Sequence, residues 1–75
     1  MITAAQCRAA RAWLNLTQAE LADLIGRSAG AVRRFETERD GDSVLAIALQ
    51  HVLEGRGITF IPAVSDLRGG ITGPE

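Results

Sequence analysis

All eight basic residues of this 75-residue chain are arginines, and Arg27, Arg33, Arg34 and Arg39 crowd into one stretch. A guanidinium offers a rigid fork of N–H donors that fits two phosphate oxygens, or O6 and N7 of guanine. The chemistry this suggests is the binding of a polyanion, not the making or breaking of bonds. Catalysis finds no support: there is one histidine, His51, one cysteine, Cys7, and no glycine loop shaped to cradle phosphate. No enzyme, metal or other cofactor is therefore expected. A lone cysteine excludes an internal disulfide and any zinc site built on paired cysteines. Cys7 falls on the apolar side of its helix, as a small buried hydrophobe or, alternatively, a redox sensor. The net charge of −1 argues mildly against a nucleic-acid partner. A local basic patch matters more than the total, and the acids Asp40, Asp42, Glu54 and Asp66 lie further along.

The elements that must position these arginines are written into Thr17 to Glu36, TQAELADLIGRSAGAVRRFE. Thr17 followed by Glu20 is a capping box that opens a helix over residues 18–25. Leu21, Ala22, Leu24 and Ile25 give it one apolar face. Gly26 stands where a helix end needs a left-handed residue. Ser28 can cap a second helix over 29–37, with Val32 and Phe35 turned to the core and Arg33 and Arg34 elsewhere. Two helices joined so tightly cross steeply, which leaves the second free to enter a major groove. Amide donors at its start, with the positive end of its dipole, suit phosphates.

Over about residues 6–53 the chain resembles the Cro/Xre-type helix-turn-helix DNA-binding family. Gln18 opens the motif, Ala22 is the small residue where the two helices touch, Gly26 makes the turn, and Val32 and Phe35 anchor the recognition helix. The resemblance implies an all-α, four-helix domain similar to lambda repressor. It also implies a structural salt bridge between Arg11 and Glu36, joining the first and third helices. Gln18 resembles the position that holds the DNA backbone; Arg27 and Ser28 are further phosphate candidates, though Gln18 and Ser28 also suit capping or solvent. Arg34 is the candidate reader of guanine. Arg33, about 100° round the helix, suits phosphate or the other groove edge. The chain departs from the family at Ala29 and Gly30, small residues where long polar side chains often read bases. They permit close approach, or a methyl contact with thymine.

Elsewhere, Thr3 with Gln6 starts a first helix over about 4–14. Trp13 near its end serves packing or an interface. The polar run 38–42 is a loop, and Asp42 or Ser43 caps a fourth helix over about 44–54 that Gly55 ends. Leu45, Ala48, Leu49 and Val52 form one apolar stripe of that helix; Val44, Ile47 and His51 form another, so it must be covered twice. Residues 58–61, with Ile58, Phe60 and Ile61, read as a strand that Pro62 stops. With only a weak second candidate at 63–65, this strand either pairs with its copy in a homodimer or lies extended on its own helices. Val44, Ile47, His51, Ile58, Phe60 and Ile61 are thus the dimerisation candidates. One domain of residues 1–65 and a mobile, glycine-rich tail over 66–75 are expected.

No apolar run approaches a membrane span and the first residues lack a signal-peptide layout, so a cytoplasmic location is expected. The expected function is a homodimeric transcriptional regulator on double-stranded DNA with a palindromic operator. It would repress by occlusion or activate by touching RNA polymerase, with no small-molecule ligand. The alternative is a protein-interaction module, antitoxin-like or an anti-activator, that uses the same scaffold.

Overall fold

The computed structural model describes residues 2–37, 43–61 and 70–74. Four helices, α1 (Ala4–Trp13), α2 (Gln18–Ile25), α3 (Ala29–Thr37) and α4 (Ser43–Gly55), precede two short strands, β1 (Thr59–Ile61) and β2 (Gly70–Thr72). The loop 38–42, Arg39, the Asp42 cap and the strand candidate 63–65 lie outside the described residues.

Local signals place the helix starts. The Gln6 amide donates to Thr3 Oγ1 at 3.1 Å and the Thr3 amide to Gln6 Oε1 at 2.9 Å. Thr17 and Glu20 make the same reciprocal pair, both at 3.0 Å. Each box satisfies amides that a helix start otherwise leaves without acceptors.

Three helix ends share a second device. After α1 the amides of Asn15 and Leu16 turn back to the carbonyls of Ala12 and Arg11. After α2, Gly26 and Arg27 do so to Asp23 and Ala22, and after α4, Gly57 and Ile58 to Glu54 and Leu53. The pivot residues Asn15, Gly26 and Gly57 have φ of 57°, 70° and 96°, the left-handed region open to glycine and tolerated by asparagine. The pivot after α4 is thus Gly57; Gly55, expected to stop that helix, is its last residue.

The core takes Cys7 and Ala10 from α1, Leu21 and Ala22 from α2, and Ala31, Val32 and Phe35 from α3. Helix α4 adds Leu45, Ala46, Leu49 and Leu53, and Ile2 and Ile58 complete the cluster. Helices α2 and α3 pack together most extensively.

The C-terminal part departs from expectation. Strand β1 pairs antiparallel with β2 of the same chain, Thr59 opposite Thr72, Phe60 opposite Ile71 and Ile61 opposite Gly70. Residues 70–74, read as a mobile tail, are therefore part of the folded domain; 66–69 lie outside the described residues. Ile58 precedes the strand and is 2% exposed in the chain's own core, and Phe60 packs on that core with Ile71. Ile58, offered above as a dimerisation candidate, is thus taken up by the chain's own core, and Phe60 lies partly buried against it. An interstrand partner within the chain satisfies backbone groups that the sequence reading assigned to a second copy.

Two side chains of α1 hold this small sheet. Gln6 Nε2 donates to Ile61 O at 2.8 Å and to Gly70 O at 3.0 Å, bridging the residues that face each other at the end of the ladder. Trp13 Nε1 donates to Pro74 O at 2.8 Å, and the indole lies against Gly73. Trp13 thus packs on the C-terminal segment while remaining half exposed.

Candidate nucleic-acid interface

The turn between α2 and α3 consists of Gly26, Arg27 and Ser28, all exposed. Ser28 Oγ accepts from the Ala31 amide at 3.2 Å, so the hydroxyl caps α3. Ala29 is exposed and Gly30 half-buried. A Cβ on Gly30 would meet only Ser28 Oγ, at 3.8 Å, so the chain's own packing does not require glycine there.

Helix α3 is sharply two-sided. Ala31, Val32, Phe35 and Glu36 are buried, whereas Arg33 and Arg34 are exposed. Among the described residues neither arginine side chain has an acidic partner within salt-bridge distance. Arg27 joins them at the exposed turn.

What orients α3 is a buried charge cluster on its inner side. The Nε and Nη2 edge of Arg11 grips the Glu36 carboxylate at 2.9 and 3.0 Å, while Nη1 reaches Leu16 O at 3.1 Å. Gln18 Nε2 donates to Glu36 Oε1 at 3.0 Å and Cys7 Sγ to Oε2 at 3.4 Å. Arg8 donates to the Glu36 carbonyl. One carboxylate therefore ties α1, α2 and α3 together, and such charge-assisted, forked bonds are the strong ones.

Burial opposes ionisation of Glu36, but the bonds from Arg11, Gln18 and Cys7 and the charge of Arg11 outweigh it, so its pKa is lowered. The hydrogen bond to Glu36 raises the pKa of Arg11. Burial, then the adjacent Glu36 charge and hydrogen bond, push the Cys7 thiol up from 9.0 to about 12. Such a thiol is a poor nucleophile and supplies a weak donor.

The salt bridge that the family resemblance implied is present between Arg11 and Glu36. Gln18, expected at the DNA backbone, instead directs its amide into that cluster. The parts of Cys7, Gln18 and Arg8 escaped the sequence reading. The one signal was that Cys7 and Arg11 stand a helical turn apart on α1, so both can meet one carboxylate. Of the dimerisation candidates, Val44, Ile47, His51 and Ile61 are exposed.

Among the described residues no group of three or more His, Cys, Asp or Glu is placed to hold a metal ion. No described helix is long and apolar enough to cross a membrane. The sequence matches no protein-family model, and no curated protein is significantly similar to it.

Proposed function

We propose that this chain is a sequence-specific DNA-binding regulator in which α2, its turn and α3 form a helix-turn-helix, with α3 as recognition helix. The carrying observation is the division of α3: its acid is locked inward against Arg11, and Arg33 and Arg34 face solvent. A basic helix face held rigidly outward suits the phosphate-lined walls of a major groove. Arg27 and the start of α3 supply phosphate contacts, and Arg34 reads a base edge. Ala29 and Gly30 keep the amino end of the helix slim enough for the duplex to approach. Two copies on a palindromic operator would set recognition helices about 34 Å apart on one face of the DNA. Control then follows from occupancy, by blocking a promoter or touching RNA polymerase.

Titration against DNA fragments selected from a random genomic pool, at several salt concentrations, tests this. The expected result is a specific complex whose log affinity falls steeply with log salt. Failure to bind any duplex at low salt overturns the reading and favours a protein-interaction module, which the exposed Val44 and Ile47 would then serve.

A further inference from the structure

The outward side of α3 has a crest whose side chains donate no hydrogen bond to the surroundings. Each residue turns a helix by about 100°, so Arg33 stands about 60° to one side of Gly30 and Arg34 about 40° to the other. Thr37 returns to within about 20° of Gly30, two turns and roughly 10 Å further along. The buried residues Ala31, Val32, Phe35 and Glu36 take the opposite side. Gly30 and Thr37 therefore top the outward face, with an exposed guanidinium on each flank. Ala29 lies about 100° from Gly30 and off the crest. At Gly30 the chain's own packing asks for no glycine, since a Cβ would meet only Ser28 Oγ at 3.8 Å. Thr37 is exposed, but its hydroxyl is spent on its own helix: Oγ1 donates to Arg33 O at 2.9 Å and lies 3.4 Å from Arg34 O. The group left to face outward is the γ-methyl.

We infer that Thr37 is a specificity-determining residue, its γ-methyl seated on the C5-methyl of a thymine in the floor of the major groove. This rests on the DNA reading above and adds a reader of thymine beside the reader of guanine. In that groove a thymine is marked by its methyl, which an apolar group meets and a guanidinium fork does not. With its proton committed to the helix, the Thr37 hydroxyl cannot donate to guanine N7 or O6, so the methyl decides the preference. A side chain as short as threonine touches a base only when the helix axis lies deep. Gly30 supplies that depth, because the crest there carries no side chain to hold the duplex away. From Gly30 to Thr37 the crest spans about three base-pair rises, so both ends lie over one half-site. The arginines diverge from the crest and keep the contacts assigned to them.

The test uses the site selected from the genomic pool, resynthesised with deoxyuridine in place of each thymidine in turn. That change deletes the C5-methyl and nothing else. At one position per half-site it should weaken binding about fourfold, the worth of one buried methyl group. Thr37→Ser keeps the hydroxyl and its bond onto the helix. It should show the same loss on the thymidine site, with no further loss from deoxyuridine at that position. Thr37→Val gives up the hydroxyl but keeps the methyl, and should retain the deoxyuridine penalty. A parent chain indifferent to deoxyuridine at every position overturns the role of Thr37. So do losses from Thr37→Ser and deoxyuridine that multiply, or a penalty that vanishes in Thr37→Val. If no duplex is selected at all, the DNA reading falls, and this inference with it.

Discussion

Arg11 holds Glu36 by two parallel bonds of 2.9 and 3.0 Å, and only the arginine touches solvent. The side chain of Glu36 is 1% exposed, that of Arg11 23%. This asymmetry makes the two residues unequal under substitution. Arg11→Met leaves a buried carboxylate with neutral donors alone and should cost about 3 kcal/mol. Arg11→Met combined with Glu36→Leu removes the stranded charge and should recover part of that loss. Urea unfolding of both variants decides the matter, and equal losses would mean that the stranded charge is not the cause.

The same cluster sets two pH limbs. The folded-state pKa of Glu36 lies below its unfolded value, so its contribution is present above the unfolded carboxylate range and disappears as pH falls through the folded value. Cys7 has the opposite sign: its folded value is raised from 9.0 to about 12, so stability declines as pH climbs across that interval. Cys7→Ala should flatten the alkaline limb and, because it also removes one of the bonds that lower the Glu36 pKa, shrink the acid limb without abolishing it. Thermal unfolding from pH 3 to 11 would show both, and an unchanged alkaline limb would remove Cys7 from the account.

Gln6 makes its three side-chain bonds with different chemistry at each end. Its oxygen accepts from Thr3, and its nitrogen donates to two carbonyls, Ile61 O and Gly70 O. Gln6→Glu keeps the first bond and turns a carboxylate oxygen toward both carbonyls. It should cost about 1–3 kcal/mol and release the sheet while α1 survives. Amide exchange should report this as loss of protection at residues 59–61 and 70–72 with little change in residues 7–13. Loss in both places together would show that the cap, not the clamp, had failed.

Gly73 has no room for a side chain. A Cβ there would stand 2.7 Å from Trp13 Nε1 and 2.9 Å from Ile58 Cδ1. Gly73→Ala should push residues 73–74 off the indole and break the Trp13–Pro74 bond, shifting the emission of the sole tryptophan toward that of a solvated indole. Gly30→Ala meets nothing closer than 3.8 Å and should raise stability by up to about 1 kcal/mol through helix propensity. If the duplex approaches closely at that point, the same change weakens DNA binding.

On DNA, Arg34→Ala should lower affinity for the selected site by about 1–3 kcal/mol and relax preference at one base pair. Arg33→Ala should weaken all sequences alike and reduce the salt slope by about 0.9. Identical behaviour of the two variants would remove the division of labour between them.

The helices were legible in the sequence because their signals are local. Thr3–Gln6 and Thr17–Glu20 announce starts, and Gly26 announces a stop, within a turn of where they act. Strand β2 was not legible. Gly70–Ile71–Thr72 is too short for a period, sits among glycines, and depends on the distant Gln6, Trp13 and Phe60. Ile58 misled for the complementary reason: a β-branched run looks like strand, while its first residue is consumed by the core. In the candidate site, the Arg11–Glu36 pair followed from resemblance. Gln18 and Cys7 each had a plausible local role that concealed their shared acceptor.

The grip of α1 on the C-terminal segment also orders the events of folding. Gln6 and Trp13 find their acceptors 55, 64 and 61 positions further on. Both side chains therefore depend on residues that follow all four helices in the chain. Contacts among α1 to α4 close over shorter separations, whereas docking the hairpin on α1 closes a longer loop than any contact between those helices. Until that loop closes the indole and the glutamine amide face water, which makes this corner of the domain its last to fold.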